Sequence, residues 1–306
     1  MIAIDVFLKI REGVIRDVDH EETGGIMKSY FKSGLPVIVA AALGICISLY
    51  GVCTAGGGEQ NSSMFDVGAD IYSPEIVMES YTVKPAEIPS TLRIDVSYVK
   101  GTEYGKNLPV VYLTDGHWRR TDHKYIHYLS KRGLIPPVIV VGIGYPEGYD
   151  VQRIRYTDLE TNPSPFLAAI RNSVIPSVEK KFSCDPTRRV LVGASCGGHF
   201  SLYAAYEIMK TNRPLFSGFV GSSAYLPELD IDYVTGGMKE YKGDSRLFLY
   251  LSYGGREEPS LPGAEVNIIR PNRELFSVLD KLSLKNLRFV HRYNPDTDHY
   301  TNSRIT

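Results

Sequence analysis

Val190-Leu191-Val192 runs directly into Gly193-Ala194-Ser195-Cys196-Gly197, and Gly198 leads on into the helix-like stretch His199 to Tyr206. An apolar strand, a five-residue turn with glycine at both ends and a helix leave a chain few folds to choose from. The glycines let the backbone reverse sharply and let the helix approach the strand. A turn of the G-x-S-x-G form lifts its serine hydroxyl above the edge of a sheet, and the helix N-terminus behind it favours developing negative charge. The junction predicts a sheet whose strands alternate with helices, and it marks Ser195 as a nucleophile.

The rest of the chain repeats that alternation. Leu108 to Leu113 ends at Asp115-Gly116, Pro137 to Ile143 at Gly144-Tyr145, Phe219-Val220 at Gly221-Ser222, and Leu247 to Tyr253 at Gly254-Gly255. Leu287 to Tyr293 is the last such run, and Ile76 to Val83 precedes them all. Continuous apolar runs bounded by turn residues fit strands buried on both faces, as in a parallel sheet. Leu92 to Val99 instead alternates apolar and polar residues, which predicts a half-exposed strand. Between the strands, Pro165 to Phe182 carries one apolar helical face, with Ser164 placed to cap it and Pro176 placed to kink it. Gly198 to Met209 and Arg273 to Leu282 are further helices. The pattern predicts one doubly wound α/β domain over residues 71–306. Its composition, 43% hydrophobic and 23% charged over 306 residues, suffices for a large core. A net charge of −1 with scattered basic residues gives no footprint for nucleic acid.

Residues 1–55 differ from the rest. Leu35 to Cys53 is an uncharged apolar run, long enough on length alone to span a bilayer. Lys28 and Lys32 precede it and Thr54-Ala55-Gly56-Gly57-Gly58 follows, which is the layout of an export signal. Met27-Lys28 is a natural start for such a signal, leaving 1–26 as a cytoplasmic tail or as the product of an upstream start. Lipidation at Cys53, cleavage after Ala55, or an uncleaved anchor each place the main domain outside the cytoplasm. Membrane attachment is expected only through this segment or a lipid. Residues 56–70, rich in glycine and polar residues, read as a linker. Of the four cysteines, Cys184 and Cys196 lie in the main domain and are expected as free thiols.

A nucleophilic serine needs a base, an acid and an oxyanion hole. After a turn of this kind the acid and the histidine follow in that order. His291 and His299 both lie far enough along. His291 falls inside the last strand, where packing is its expected role, and His299 lies in the polar loop beyond it, the favoured position for the base. The acid is expected after the preceding strand, where Glu257 and Glu258 compete. Asp296 and Asp298 share the loop of His299 and are weaker candidates. The oxyanion donors are expected from the amide of Cys196 and from the turn after Asp115-Gly116, where His117 follows. His123 and His127 are four apart on a helix, lack a third ligand and read as surface residues rather than a zinc site.

Leu108 to Gly116, Val140-Val141-Gly142-Ile143-Gly144-Tyr145, Arg155-Tyr156-Thr157-Asp158-Leu159 and Asp185-Pro186-Thr187-Arg188-Arg189, taken with the Ser195 turn, resemble a family of serine esterases with the α/β-hydrolase fold. That family includes siderophore (enterobactin-type) esterases, esterase D-type formylglutathione hydrolases, feruloyl esterases and mycolyltransferases, and the siderophore branch is nearest in pattern. The resemblance covers about residues 75–300. It implies cofactor-free catalysis on a small-molecule ester, with Ser195 as nucleophile and His299 as base. It favours Glu257 as acid through the Gly-x-x-Glu turn Gly254-Gly255-Arg256-Glu257, and it implies the His117 and Cys196 amides as the oxyanion hole. Arg155 matches a family arginine that contacts anionic substrate in the siderophore branch. Ala194 and Cys196 depart from the family's usual elbow, Ser222-Ser223-Ala224-Tyr225 departs from its Ser-Pro-Ser-aromatic stretch, and the chain ends soon after His299, where the family continues into a helix. An acyltransferase, a feruloyl or acetyl-sugar esterase and an inactive surface binding protein are the rival readings.

Overall fold

The computed structural model describes residues 75–102, 107–226, 231–257, 267–282 and 284–305. The export segment and linker read from the sequence therefore lie outside the described residues, as does Glu258. Eight strands form one sheet in the order β1-β2-β4-β3-β5-β6-β7-β8. They are β1 (Ile76–Val83), β2 (Leu92–Val99), β3 (Leu108–Leu113), β4 (Ile139–Gly144), β5 (Cys184–Ala194), β6 (Gly218–Ser222), β7 (Leu247–Gly254) and β8 (Leu287–Asn294). β1 and β2 join antiparallel, and β2 meets β4 antiparallel. From β4 through β3, β5, β6 and β7 to β8 every pairing is parallel. Helices α1 (Arg120–Lys131), α2 (Val151–Tyr156), α3 (Pro163–Ala169), α4 (Ile175–Glu179), α5 (Cys196–Thr211), α6 (Ile231–Lys239), α7 (Ile269–Leu279) and α8 (His299–Ile305) complete it. The fold is the α/β arrangement expected from the alternation, and three of the continuous runs, β4, β6 and β7, are buried at every position. β1 and β8, the two edge strands of the sheet, are instead mostly half-buried or exposed, because each has a neighbour on one side only.

Two local readings change. β2 alternates in sequence yet is buried at six of its eight positions, and its polar residues are among them. Ser97 lies under α1, where its hydroxyl meets His123 Nδ1 at 2.7 Å and His127 Nε2 at 2.8 Å. Asp95 accepts from Ser80 Oγ and from Arg93 Nε. Both histidines are therefore buried, at 0% and 1% exposure, and not at the surface. An apolar-polar alternation records exposure only when nothing polar covers the second face, and here α1 brings two imidazoles to it.

The stretch read as a kinked helix over 165–182 begins earlier, at Pro163, with Ser164 inside the first turn rather than at the cap. Proline suits that position because its missing N–H has no helical partner there. The helix then widens into a π-turn at Ile170–Val174, immediately before Pro176. Pro176 has no N–H for a carbonyl one turn back, and the widened turn accommodates that loss.

The core on the α5 side is aromatic and tightly joined. Phe200 of α5 meets Phe166 of α3 edge-on at 5.1 Å, and Phe216 bridges Tyr112 and Phe219 at 5.8 and 6.0 Å. Phe200 shares one buried apolar cluster with Leu191 of β5 and Phe219 of β6, and that cluster seats α5 against the sheet and so supports the turn between β5 and α5.

Burial lowers the pKa of His123, His127 and His199 to about 4 each. The unfolded chain, with histidine near 6.5, then binds more protons than the native state between about pH 6.5 and 4. Stability should be full above that window and fall as pH drops through it, by on the order of 1 kcal/mol per histidine per pH unit. Urea unfolding midpoints from pH 7.5 to 4.5 measure this; a midpoint that stays constant would mean that these imidazoles are not held neutral.

Candidate active site

The parallel strands β3 to β8 all end on the same side of the sheet, so the turns that follow them share one edge. In open α/β sheets this carboxyl edge is where sites form. β5 delivers Ser195, the 3-10 turn Gly116–Trp118 after β3 delivers His117, the turn after β7 delivers Glu257, and α8 after β8 opens on His299.

Ser195 sits at φ 58° and ψ −123°, a backbone conformation that costs an L-residue about 1–3 kcal/mol. Its amide donates to Ser222 O at 2.9 Å, and its carbonyl accepts from Tyr225 N and His199 N. The turn is so tight that a Cβ at Gly193 would stand 2.0 Å from Gly197 O, and one at Gly197 would stand 2.2 Å from Thr114 Oγ1. Glycine is required at Gly193 because the Gly197 backbone passes where a side chain would be, and at Gly197 because the Thr114 side chain fills that space. The Cys196 amide opens the sixteen-residue helix α5, whose dipole points its positive end at the turn. Burial pushes the Cys196 thiol up to about 11, so it stays protonated beside the serine.

His299 Nδ1 lies 2.9 Å from Glu257 Oε2. The Glu257 side chain is fully buried, while that of His299 is about a third exposed. The other carboxylate oxygen, Oε1, accepts from Ser223 Oγ at 2.7 Å and from the Gly254 amide. A buried carboxylate with its oxygens occupied by donors can stay ionised and can hold an imidazole with its remaining nitrogen turned outward. The acid turn interlocks with the turn before α8: Gly255 N donates to Asn294 O and Arg256 N to Thr297 O. A Cβ at Gly254 would stand 2.3 Å from Thr297 O. Close approach of the two turns is thus what brings Glu257 and His299 together. His299 is the first residue of a helix rather than part of a free loop. His291, on β8, pairs instead with Asp280 at 2.8 Å and packs against Phe276. Asp296 faces Arg256, and Asp298 accepts from the amides of Tyr300 and Thr301 at the start of α8.

On the other side of Ser195, the His117 turn is clamped to β4. A side chain at Gly144 would stand 2.7 Å from the His117 amide nitrogen and 2.6 Å from its Nδ1. The His117 ring lies between Trp118 and Tyr145, and burial lowers its pKa. Arg155, expected at the substrate, grips Asp115 through Nε at 2.7 Å and Nη2 at 3.0 Å, and Nη2 also reaches Ala194 O. Its guanidinium lies over Trp118. One buried cation thus ties the His117 turn to the Ser195 turn. The sequence reading did not single out Ser223 for the acid or Asn302, whose amide touches three serine hydroxyls beneath it. Ser223 lay in a stretch already noted as unusual, whereas nothing in the sequence pointed to Asn302. Among the described residues no group of histidine, cysteine and carboxylate side chains is placed to hold a metal ion.

A serine turn between strand and helix and a carboxylate–histidine pair at the same carboxyl edge of a mostly parallel sheet are the arrangement of an α/β-hydrolase. The family model described as "Putative esterase" matches residues 91–276, and the chain belongs to that family of carboxylic-ester hydrolases. No curated protein matches it in sequence. Among solved structures it is similar to an IroE-like serine hydrolase from Shewanella oneidensis, with 27% identity over 75% of this chain and 77% of that one at a TM-score of 0.59. It is also similar to the siderophore hydrolase EstB from Aspergillus nidulans (20% identity, 76% and 94% covered, TM-score 0.60). The enterobactin esterase FES from Shigella flexneri, crystallised with enterobactin, matches at 19% identity, with 76% of this chain and 58% of that chain covered and a TM-score of 0.59.

The strain at Ser195 gives a test of the elbow. Ser195→Gly removes both the hydroxyl and the Cβ that makes φ 58° costly, so it should abolish hydrolysis while raising stability by about 1 kcal/mol. Thermal unfolding of Ser195→Gly against Ser195→Ala measures it; equal midpoints would mean that the turn is not strained.

Proposed function

We propose that this chain is a serine esterase that works through an acyl-enzyme, with a siderophore-type ester, a catecholate trilactone, as its substrate class. The observation that carries the mechanism is the 2.9 Å pair between His299 Nδ1 and the fully buried Glu257, set on the same sheet edge as the strained Ser195 turn. Glu257 fixes the tautomer of His299 with the proton on Nδ1, which leaves Nε2 as the base. Nε2 takes the Ser195 proton as Oγ attacks the ester carbonyl, and the imidazolium formed is stabilised by Glu257. The negative charge on the tetrahedral intermediate is received by the amides of Cys196 and His117 at the positive end of α5. His299 then returns the proton to the leaving alcohol. A water activated by the same nitrogen hydrolyses the acyl-enzyme.

Arg155 supports this arrangement by holding Asp115, and with it the His117 amide, at a fixed distance from the Ser195 turn. The substrate class is supported by the likeness to solved structures, several of which are siderophore or enterobactin hydrolases. The apolar run Leu35 to Cys53 with its basic flank supports export of the domain.

Ser195→Ala should abolish hydrolysis of p-nitrophenyl butyrate, and Glu257→Gln should lower kcat by about 100-fold or more with little change in KM. Retained activity in Ser195→Ala contradicts the mechanism. A panel of ferric and iron-free catecholate trilactones, feruloyl esters and acetylated sugars assays the substrate class; turnover confined to the last two would overturn it.

A further inference from the structure

We propose that Asn302 is the positioning residue that fixes both halves of the acid–base pair, acting through the hydroxyl of Ser223. The proposal deepens the esterase reading above and rests on it. Three observations converge. The first is the demand made by Glu257: its buried Oε1 takes the Ser223 hydroxyl as one of its donors. A serine hydroxyl has one hydrogen and rotates to suit its surroundings; a donor seated on its oxygen favours the rotamer that turns the hydrogen toward the carboxylate. Asn302 Nδ2 supplies that donor at 2.7 Å.

The second observation is how Asn302 is itself oriented. Its Oδ1 accepts from Asn294 Nδ2 at 2.6 Å, with Thr297 Oγ1 at 3.5 Å. That sets which way the amide faces and turns Nδ2 toward the hydroxyls of Ser222, Ser223 and Ser252, at 3.0, 2.7 and 3.2 Å. The two amide hydrogens are shared among three oxygens. The donors converge on the carboxylate: Asn294 donates to Asn302, Asn302 to Ser223 and Ser223 to Glu257 from one side, and His299 donates to the other oxygen of Glu257. Asn302 is completely buried, so none of these bonds is made to bulk water.

The third observation is covalent. Asn302 lies three residues after His299 on the same short helix, α8. A helix of two turns has little stability of its own, so a buried polar anchor on its inner face decides where it sits. Asn302 therefore docks the helix that carries the base onto the serines at the ends of β6 and β7 and, by the same amide, directs the hydroxyl that holds the acid. Ser223 adopts φ 47°, a conformation that non-glycine residues seldom take, and this aims its hydroxyl across to the β7 turn.

The expected signature is loss of turnover with binding intact. Asn302→Leu, which keeps the volume but has neither donor nor acceptor, and Ser223→Ala, which removes one hydroxyl, should each lower kcat on p-nitrophenyl butyrate about 10- to 100-fold with KM nearly unchanged. Asn302→Asp places an acceptor where a donor stood, turns the Ser223 hydroxyl away from Glu257 and adds negative charge beside the pair. It should shift the acid limb of the kcat/KM profile to higher pH, because the imidazolium is further stabilised. The readout independent of activity is the downfield proton NMR resonance of His299 Nδ1–H, expected in the parent protein and broadened or lost in Asn302→Leu. Folded variants that keep the parent kcat and the resonance, or that lose thermal stability alone, would overturn the proposal. If Asn302→Leu does not fold, a parent-like kcat and resonance in Ser223→Ala have the same effect. A parent protein that shows the resonance but hydrolyses no ester would sink the esterase reading and leave the positioning role standing.

Discussion

Ser195 is held at φ 58° by its neighbours and against its own preference. The hydrogen bond from its amide to β6 and the near-contact of Gly193 with Gly197 leave the chain no relaxed alternative. Everything else at the carboxyl edge is arranged around that fixed point. The aromatic packing of α5 keeps the helix from moving away from β5, the Arg155–Asp115 pair ties the neighbouring turn to Ala194, and the Cys196 amide inherits its direction from the turn.

Glu257 and His299 are held by a different kind of force. Apolar packing sets α5, whereas α8 is short and is placed by polar groups buried at its foot. Glu257, Ser223, Asn302 and Asn294 form a directed series in which each donor is satisfied by the next acceptor. Buried polar series of this kind specify one geometry when complete and destabilise it when one member is missing. Turnover should therefore respond to changes at the foot of α8 that leave the nucleophile turn untouched.

The fold was legible because its parallel strands are continuous apolar runs, and a run of that kind needs no partner to be recognised. Ser195, the glycines around it and the turn bearing Glu257 were legible for a similar reason: their requirements are local. β2 was misread because its polar positions are covered by α1, a fact of tertiary packing that no pattern within the strand records. His123 and His127 followed the same error, since their burial depends on Ser97 across the interface. Asn302 left no trace in the sequence because its role depends on three serines on two other strands. Arg155 was noticed from its motif, but its bond to Asp115 belongs to the folded edge of the sheet.

The account stands on Ser195 being made nucleophilic by its place in this fold, and covalent labelling reads that directly. Native protein treated with a fluorophosphonate and digested for mass spectrometry should carry one adduct, on the peptide containing Ser195. Labelling should disappear in urea-unfolded protein and slow strongly in His299→Ala. Absence of the adduct in folded protein, or an adduct on another residue while Ser195 stays unmodified, would contradict it.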